Sequence, residues 1–339
     1  MIKLCGDFIT VPLSFIINRS ISQATFPDTL KNAFVIPIYK SGPKSDPNNY
    51  RPISILPTIS KIIERHVATQ LLDFLKQHNL LNANQSGFRE YHSCCTALLK
   101  LIDSWLTDID DGKCIGAIFL DLKKAFDLVD HDILLKKMKM YNFSENTIKF
   151  FKSYLSNRTQ VVRDGELVSS SRTVLTGVPQ GSILGPILFL IYINDIHIKL
   201  THSSSLDMYA DDPTLHSSGF KTNEIEKALQ DNIDIVEKWC KMNNMKINPI
   251  KSKCMLIGTS KNLQKQASLN IHINETILKN VDTHKLMGVY INKNLKWNPH
   301  ISYVYKKMMS RIYLLKRLTF YLTFDMKKLF YNAYIMSVF

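Results

Sequence analysis

Acid is in short supply here: 29 Asp and Glu stand against 43 Lys and Arg in 339 residues, a formal net charge of +14. That balance points to a polyanionic partner, most simply nucleic acid, because phosphate neutralisation is the commonest use of surplus cations. An anionic lipid surface is the other candidate. None of the six cysteines (Cys5, Cys94, Cys95, Cys114, Cys240, Cys254) forms a C-x-x-C pair. A zinc site and a disulfide framework are therefore excluded, and the thiols read as reduced and intracellular. Long apolar runs are missing too. The longest, Ile187 to Ile193, is too short to span a bilayer and follows a Gly-Pro pair, so it reads as a buried helix with no membrane role. Met1 is followed by no basic stretch and apolar core of a signal peptide, which argues against secretion. Internal repeats and long low-complexity tracts are also lacking, so the length resolves into two or three subdomains with a sizeable core.

What stands out against this background is Tyr209-Ala210-Asp211-Asp212. Adjacent carboxylates between Leu206 and Met208 on one side and Leu215 on the other read as a tight turn with both acids at its tip. Neighbouring carboxylates repel, and a divalent cation relieves the repulsion. Mg2+ takes a few carboxylate oxygens together with substrate phosphates. A plain polar hairpin turn is the competing reading, because Asp is common in turns.

Residues 1–30 read as helical and then irregular, and Ala33 to Tyr39 as a strand. The turn-rich loop Lys40 to Asn49 leads to a second extended piece, Tyr50 to Leu56. Lys40 and Arg51 flank this hairpin, where they either grip a triphosphate or are ordinary surface cations. Ile59, Ile62, Ile63, Val67, Leu71, Leu72 and Leu75 recur at helical spacing over Thr58 to His78. Leu98, Leu99, Leu101, Ile102, Trp105 and Leu106 mark another helix, its stripe read as core.

Cys114 to Leu120 is a continuous apolar run closed by Asp121, the pattern of a buried strand that delivers an acid at its end. Phe126, Asp127, Asp130 and His131 follow, His131 reading as a capping or packing group. Arg158 to Leu175 is expected to be a hairpin turning at Asp164-Gly165. It runs into Thr176-Gly177-Val178-Pro179-Gln180-Gly181-Ser182, whose glycines permit close backbone approach and whose helix start favours phosphate. Gln180 faces a base or a sugar in this reading. Asn223 to Met242 is amphipathic, Cys254 to Ile257 and Leu286 to Ile291 are read as strands, and Thr259 to Ala267 as a mobile connection. A final helix starting near Pro299 carries Lys306, Lys307, Arg311, Lys316 and Arg317, either a solvated face or a track along a duplex backbone.

If their strands are neighbours, Asp121, Asp211 and Asp212 converge. Converging acids without a matching histidine set suggest two-metal phosphoryl transfer. The order of motifs resembles the reverse transcriptases of non-LTR retrotransposons, in the jockey-like group, from about Phe26 to the C-terminus. The matching stretches are Phe26-Pro27 through Lys40, Asn49 to Ser54, Gly87-Phe88-Arg89, Phe119 to Asp127, Gly177 to Ser182, Tyr209 to Asp212, Asn248 with Lys251, and Leu286-Met287-Gly288.

The resemblance implies an α+β right-hand polymerase that extends a DNA primer on an RNA template with deoxynucleoside triphosphates. It places an N-terminal extension at 1–26, fingers at 27–115, a palm at 116–292 with a finger-like hairpin near 158–176, and a truncated thumb at 293–339. The palm would be an antiparallel sheet with packed helices. Asp121, Asp211 and Asp212 would be the catalytic acids holding two Mg2+ ions, with Mn2+ a substitute and Asp121 and Asp211 the principal ligands. Lys40 and Arg51 would hold the triphosphate, Phe126 would sit beneath the sugar and exclude a 2′-hydroxyl, and Gln180 with Gly181 would contact the nucleotide. Lys251 would donate a proton to pyrophosphate. The likeness also implies a cytoplasmic ribonucleoprotein acting in the nucleus, with endonuclease activity from a further domain or another protein.

The chain departs from the pattern at Pro213, where this group more usually has Thr. Proline has no N–H to give a ladder, which sets up an expectation of reduced activity. The ends suggest a fragment or decayed copy of a longer protein. The rival readings are a catalytically impaired or co-opted nucleic-acid-binding remnant, and an RNA polymerase or maturase. Phe126 argues against ribonucleotide use.

Overall fold

The computed structural model describes residues 6–201 and 204–338; Cys5 lies outside them. In chain order, α1 (Gly6–Ser22) precedes β1 (Ala33–Tyr39) and β2 (Tyr50–Ile55), followed by α2 (Thr58–Gln77), α3 (Cys94–Asp110) and β3 (Cys114–Phe119). Next come α4 (His131–Met140), α5 (Glu145–Leu155), β4 (Arg158–Asp164), β5 (Leu167–Val168), β6 (Arg172–Val174) and α6 (Leu184–Ile193). The hairpin β7 (Ser205–Tyr209) and β8 (Asp212–Gly219) leads to α7 (Thr222–Met242), β9 (Lys253–Ile257) and α8 (Ser260–Leu263). Short strands β10 (His272–Ile273), β11 (Thr276–Ile277) and β12 (Lys279–Asn280) follow. Then come β13 (Thr283–Leu286), β14 (Val289–Asn292), α9 (Asn298–Leu318) and α10 (Phe324–Phe330).

Two sheets carry the architecture. In the first, β1 pairs antiparallel with β2 and parallel with β4, which in turn pairs with β5 and β6. In the second the order is β12-β9-β3-β8-β7, antiparallel except at the β12–β9 edge. The apolar run of β3 is wholly buried because both faces of this sheet are covered. Cys114 and Ile118 join the large core with α6 and α7, while Ile115, Ala117 and Phe119 pack against Leu98, Leu101 and Trp105 of α3. Helix α6 is apolar on every side and buried on every side. The fold is α+β.

Several expectations need correction. On α2 the buried stripe is Ser60, Ile63, Glu64, Val67, Ala68, Leu71 and Leu75, leaving Ile59 exposed. Leu99 and Leu106 of α3 are exposed too, since they lie off the arc through Leu98, Leu101 and Trp105 that meets the sheet. Leu286 to Ile291 is not one strand. Met287 (φ +47°) and Gly288 (φ +92°) turn the chain back, pairing Leu286 with Val289 in a two-residue hairpin. Thr259 to Ala267 contains the short helix α8, capped by the Thr259 hydroxyl and tied down by Asn262 Nδ2 donating to Gly112 O at 3.0 Å. Helix α9 rests on the β13–β14 hairpin through Tyr303 against Tyr290, ring centroids 5.1 Å apart, and buries none of its own residues. Among the described residues no helix is long and apolar enough to cross a membrane.

Candidate active site

Asp121 lies two residues beyond β3, and its backbone is pinned from the β9 side. Its N–H donates to Ser252 Oγ at 3.1 Å, and its carbonyl accepts the Asn248 N–H at 2.8 Å. Ser252 is fully buried and itself donates to Asn248 O at 2.8 Å. Lys251, next to this clamp, is exposed on the turn between Asn248 and Lys253.

On the other flank of β3, the β7–β8 hairpin pairs Tyr209 with Asp212 and leaves Ala210 and Asp211 as its tip. Ala210 adopts φ +55°, a strained position for a residue with a side chain. A buried glutamine holds it there. Gln85 Oε1 accepts both the Ala210 N–H at 3.0 Å and the Gly87 N–H at 2.7 Å. Met208 extends the contact by exchanging backbone bonds with Asn84 and Ser86 at 2.9 and 2.8 Å. Arg89 supports the segment from behind, donating to Asn82 O at 2.7 Å and Gln85 O at 3.0 Å. Gly87-Phe88-Arg89 thus forms the bracket of the acidic turn.

Pro213 interrupts less than its chemistry threatens. Leu120 N–H still donates to Pro213 O at 3.0 Å, and both ladders keep register, Met208 facing Pro213 and Phe119 facing Thr214. What proline withholds is its own N–H.

The three acids share one field. Asp211 is raised above the usual carboxylate range by burial and by Asp121, with Arg51 and Lys40 pulling it back down. Asp212, exposed at the hairpin end, is pushed up to about 6 by desolvation, then by Asp211 and Asp121, against Lys40. Repelling carboxylates faced by two cations are a donor set suited to a hard divalent cation plus an anionic substrate. Among the described residues no three His, Cys, Asp or Glu groups stand close enough to enclose a metal unaided.

Lys40 and Arg51 belong to the first sheet. Arg51 pairs with Ile38, and Lys40, two residues beyond Ile38, emerges on the same face, so both exposed cations look toward the acids. Phe126 is half-buried, stacked on Phe189 at 4.4 Å and edge-on to Phe88 at 6.1 Å. Its carbonyl accepts the Val178 N–H at 2.9 Å, docking the Gly177–Ser182 loop beside it. Gly181, at φ +126°, brings that loop against β2, where an added Cβ would meet Ser54 O at 2.4 Å. Gln180 O accepts the Ser54 N–H at 2.7 Å, and its side-chain amide donates to Asp127 at 2.8 Å. His131 Nε2 bonds Gly177 O at 2.8 Å, a packing role.

One expectation fails: the start of α6 is not open to phosphate. Glu64, fully buried, accepts the Ile183 N–H at 2.7 Å and the Leu184 N–H at 3.4 Å, so a carboxylate of the protein already occupies that helix end. Glu64 also accepts from Ser60 Oγ at 3.0 Å. Gln85, Glu64 and Ser252 all escape sequence reasoning. Only Glu64 leaves a signal, a charge set among the apolar positions of an amphipathic helix.

Residues 42–291 match the family described as reverse transcriptase (RNA-dependent DNA polymerase). The chain is 33% identical over 318 residues to the probable RNA-directed DNA polymerase from transposon BS of Drosophila melanogaster, covering 90% of this chain and 34% of that protein. With the RNA-directed DNA polymerase from mobile element jockey of the same species the identity is 28% over 318 residues, covering 92% and 34%. The chain therefore spans about a third of the length of these curated relatives. Among solved structures, apo telomerase from Candida tropicalis superposes with a TM-score of 0.53 at 13% identity, covering 87% of this chain and 53% of that one. That is a likeness of fold.

Proposed function

Since the chain belongs to the reverse transcriptase (RNA-dependent DNA polymerase) family, we propose that it extends a DNA primer on an RNA template by transferring deoxynucleotides to the primer 3′-hydroxyl. The observation that carries this reading is the shared field of Asp121, Asp211 and Asp212 opposite Lys40 and Arg51. Asp121, Asp211 and Asp212 would hold two Mg2+ ions, or Mn2+ in their place, whose chemistry would be to activate the attacking hydroxyl and offset charge on the leaving pyrophosphate. Asp121 and Asp211 are the principal carboxylates for such ions, and Asp212 adds a third.

Lys40 and Arg51 take the triphosphate, matching cationic donors to the charge on the transferring group. Phe126 forms the floor under the sugar, where a 2′-hydroxyl collides with the ring. Gln180, held by Gly181 between β2 and Phe126, meets the nucleotide. Lys251 gives the departing pyrophosphate its proton. In this reading the β1–β2–β4 sheet serves as fingers, the β3-centred sheet as palm, and basic α9 as the start of a thumb along the duplex. The setting is retrotransposition, in a ribonucleoprotein that works in the nucleus with a separate endonuclease activity.

The test is single-nucleotide extension of a DNA primer on an RNA template with Mg2+, alongside Asp211→Ala. Incorporation of dNTP and not rNTP, abolished by the substitution, supports the assignment. Duplex binding without extension in the unaltered chain refutes it.

A further inference from the structure

Asp207 stands four residues ahead of Asp211 on the same hairpin, and both of its carboxylate oxygens are engaged. Oδ2 lies 2.9 Å from His216 Nε2 of β8, and Oδ1 lies 3.5 Å from Lys100 Nζ of α3. An ionised carboxylate only accepts, so Nε2 of His216 carries the proton. The His216 ring is buried and meets the indole of Trp105 edge-on at 5.8 Å, which limits its rotation. Lys100 reaches further still. Its Nζ also donates to Asn84 Oδ1 at 2.7 Å, and the Asn84 carbonyl accepts the Met208 N–H at 2.9 Å.

One ammonium group thus grips both segments that meet at Met208. Strand β7 is the edge of its sheet, and along that edge Met208 bonds Asn84 and Ser86 while Ala210 bonds Gln85. The alignment of the two segments therefore sets where the tip of the hairpin comes to rest. Lys100 is half exposed, and a lysine–carboxylate contact in water contributes little to stability. Three groups closed around one carboxylate do fix its position. What this cluster supplies is geometry.

We propose that Asp207 is a positioning residue for divalent-cation binding: stapled to α3 by Lys100 and to β8 by His216, it aligns β7 with the Asn84–Gly87 segment and so sets where Asp211 stands relative to Asp121. The inference deepens the polymerase reading above and rests on it for the identity of the acids. Lys100 is the discriminating member of the cluster. By charge alone, removing a cation from the neighbourhood of the acids tightens their hold on a metal ion. If Lys100 acts by alignment, its removal loosens that hold.

The test takes two readouts on each variant of the full chain. One is Mn2+ affinity of the protein alone, from loss of the free ion's electron paramagnetic resonance signal. The other is kcat and KM for single-nucleotide extension at saturating Mg2+. Lys100→Met should weaken Mn2+ binding by about 3- to 10-fold, the range of one hydrogen bond. It should lower kcat by about 10- to 100-fold, the cost of a displacement of up to about 1 Å at reacting groups. KM for the dNTP should stay within about 2-fold, because Lys40 and Arg51 lie on the other sheet. Lys100→Arg, which still donates to both acceptors, should recover most of both losses. Asp207→Ala should reproduce them, and adding Lys100→Met to it should cost nothing further. Should Asp207→Ala fail to fold, the half-exposed Lys100 pair still decides the matter. Unchanged or tighter Mn2+ binding in Lys100→Met overturns the inference, as does an equal loss in Lys100→Arg. A rise in KM with kcat unmoved overturns it too. No extension by the unaltered chain would refute the polymerase reading, and the Mn2+ affinities would then judge the positioning separately.

Discussion

Gly87 lies so close beneath Ala210 that a methyl group added to it would sit 2.2 Å from the Ala210 nitrogen. The nearest atoms are backbone, with no flexible side-chain end to yield. Gly87→Ala should therefore displace the acidic turn, lowering primer extension by at least about 100-fold, as expected for a shift of order 1 Å at reacting groups. Overpacking should cost about 1–3 kcal/mol of stability. Denaturant midpoints and extension rates measured on the same preparation check both numbers.

Glu64 makes a second prediction, because it caps the helix that follows the nucleotide loop. Glu64→Ala strands the Ile183 and Leu184 N–H groups in the interior. The expected loss is about 2–4 kcal/mol, with Glu64→Gln costing less since its carbonyl oxygen still accepts. Urea unfolding of both variants measures the difference.

Pro213 should prove tolerable. The register around it is continuous, so Pro213→Thr restores one N–H while giving up the rigidity proline lends the unfolded chain. Stability should stay within about 1 kcal/mol of the original and extension within about 5-fold. A gain in extension much larger than this would mean that proline displaces Asp211.

Stability of the cation-free protein should respond to pH with two opposed slopes. Burial, reinforced by Lys253, lowers His284 to about 4 from an unfolded value of 6.5. Between those values the unfolded chain binds more protons, so this term adds stability as pH rises through the window and loses it as pH falls. Asp212, raised to about 6 from 3.8, has the opposite sign: the folded chain holds the extra proton, and stability falls as pH climbs from about 4 to 6. Asp211 acts in the same sense as Asp212. His284→Phe, which preserves stacking on Phe119, should leave the falling slope alone, and Asp212→Asn should favour the rising one. Denaturation series from pH 4 to 7 without divalent cations resolve the two. Adding Mg2+ should stabilise the original protein more than Asp212→Asn.

The motif residues were legible because each sits on a segment whose type the sequence announces. The apolar run ending at Asp121 is a buried strand, and a hairpin turn does follow Tyr209, with Asp211 at its tip and Asp212, expected there too, opening β8 instead. Helices α2, α3, α6 and α7 followed from periodicity and apolar content. Illegible were the residues that act through the backbone of a distant segment. Ser252 bonds the main chain of Asp121, 131 residues away, and Gln85 bonds that of Ala210, 125 residues away. Such bonds impose no spacing rule on either segment. The β13–β14 hairpin was missed for another reason: Met287 holds φ +47° at a position where turn chemistry leads one to expect Asn, Asp or Gly.

Because Asp121 follows the central strand of its sheet while its clamp comes from Ser252, the order of synthesis matters. A ribosome that has just released β3 has made a strand whose two neighbours, β8 and β9, are about 100 and 140 residues in the future. Until they arrive, β3 is an apolar edge open on both sides, the kind of surface that pairs with other chains. Strand β1 waits likewise for β4. Contacts this distant in sequence close slowly. Recombinant pieces that stop before Ser252 should accordingly be aggregation-prone, and co-expressing the remainder should rescue them.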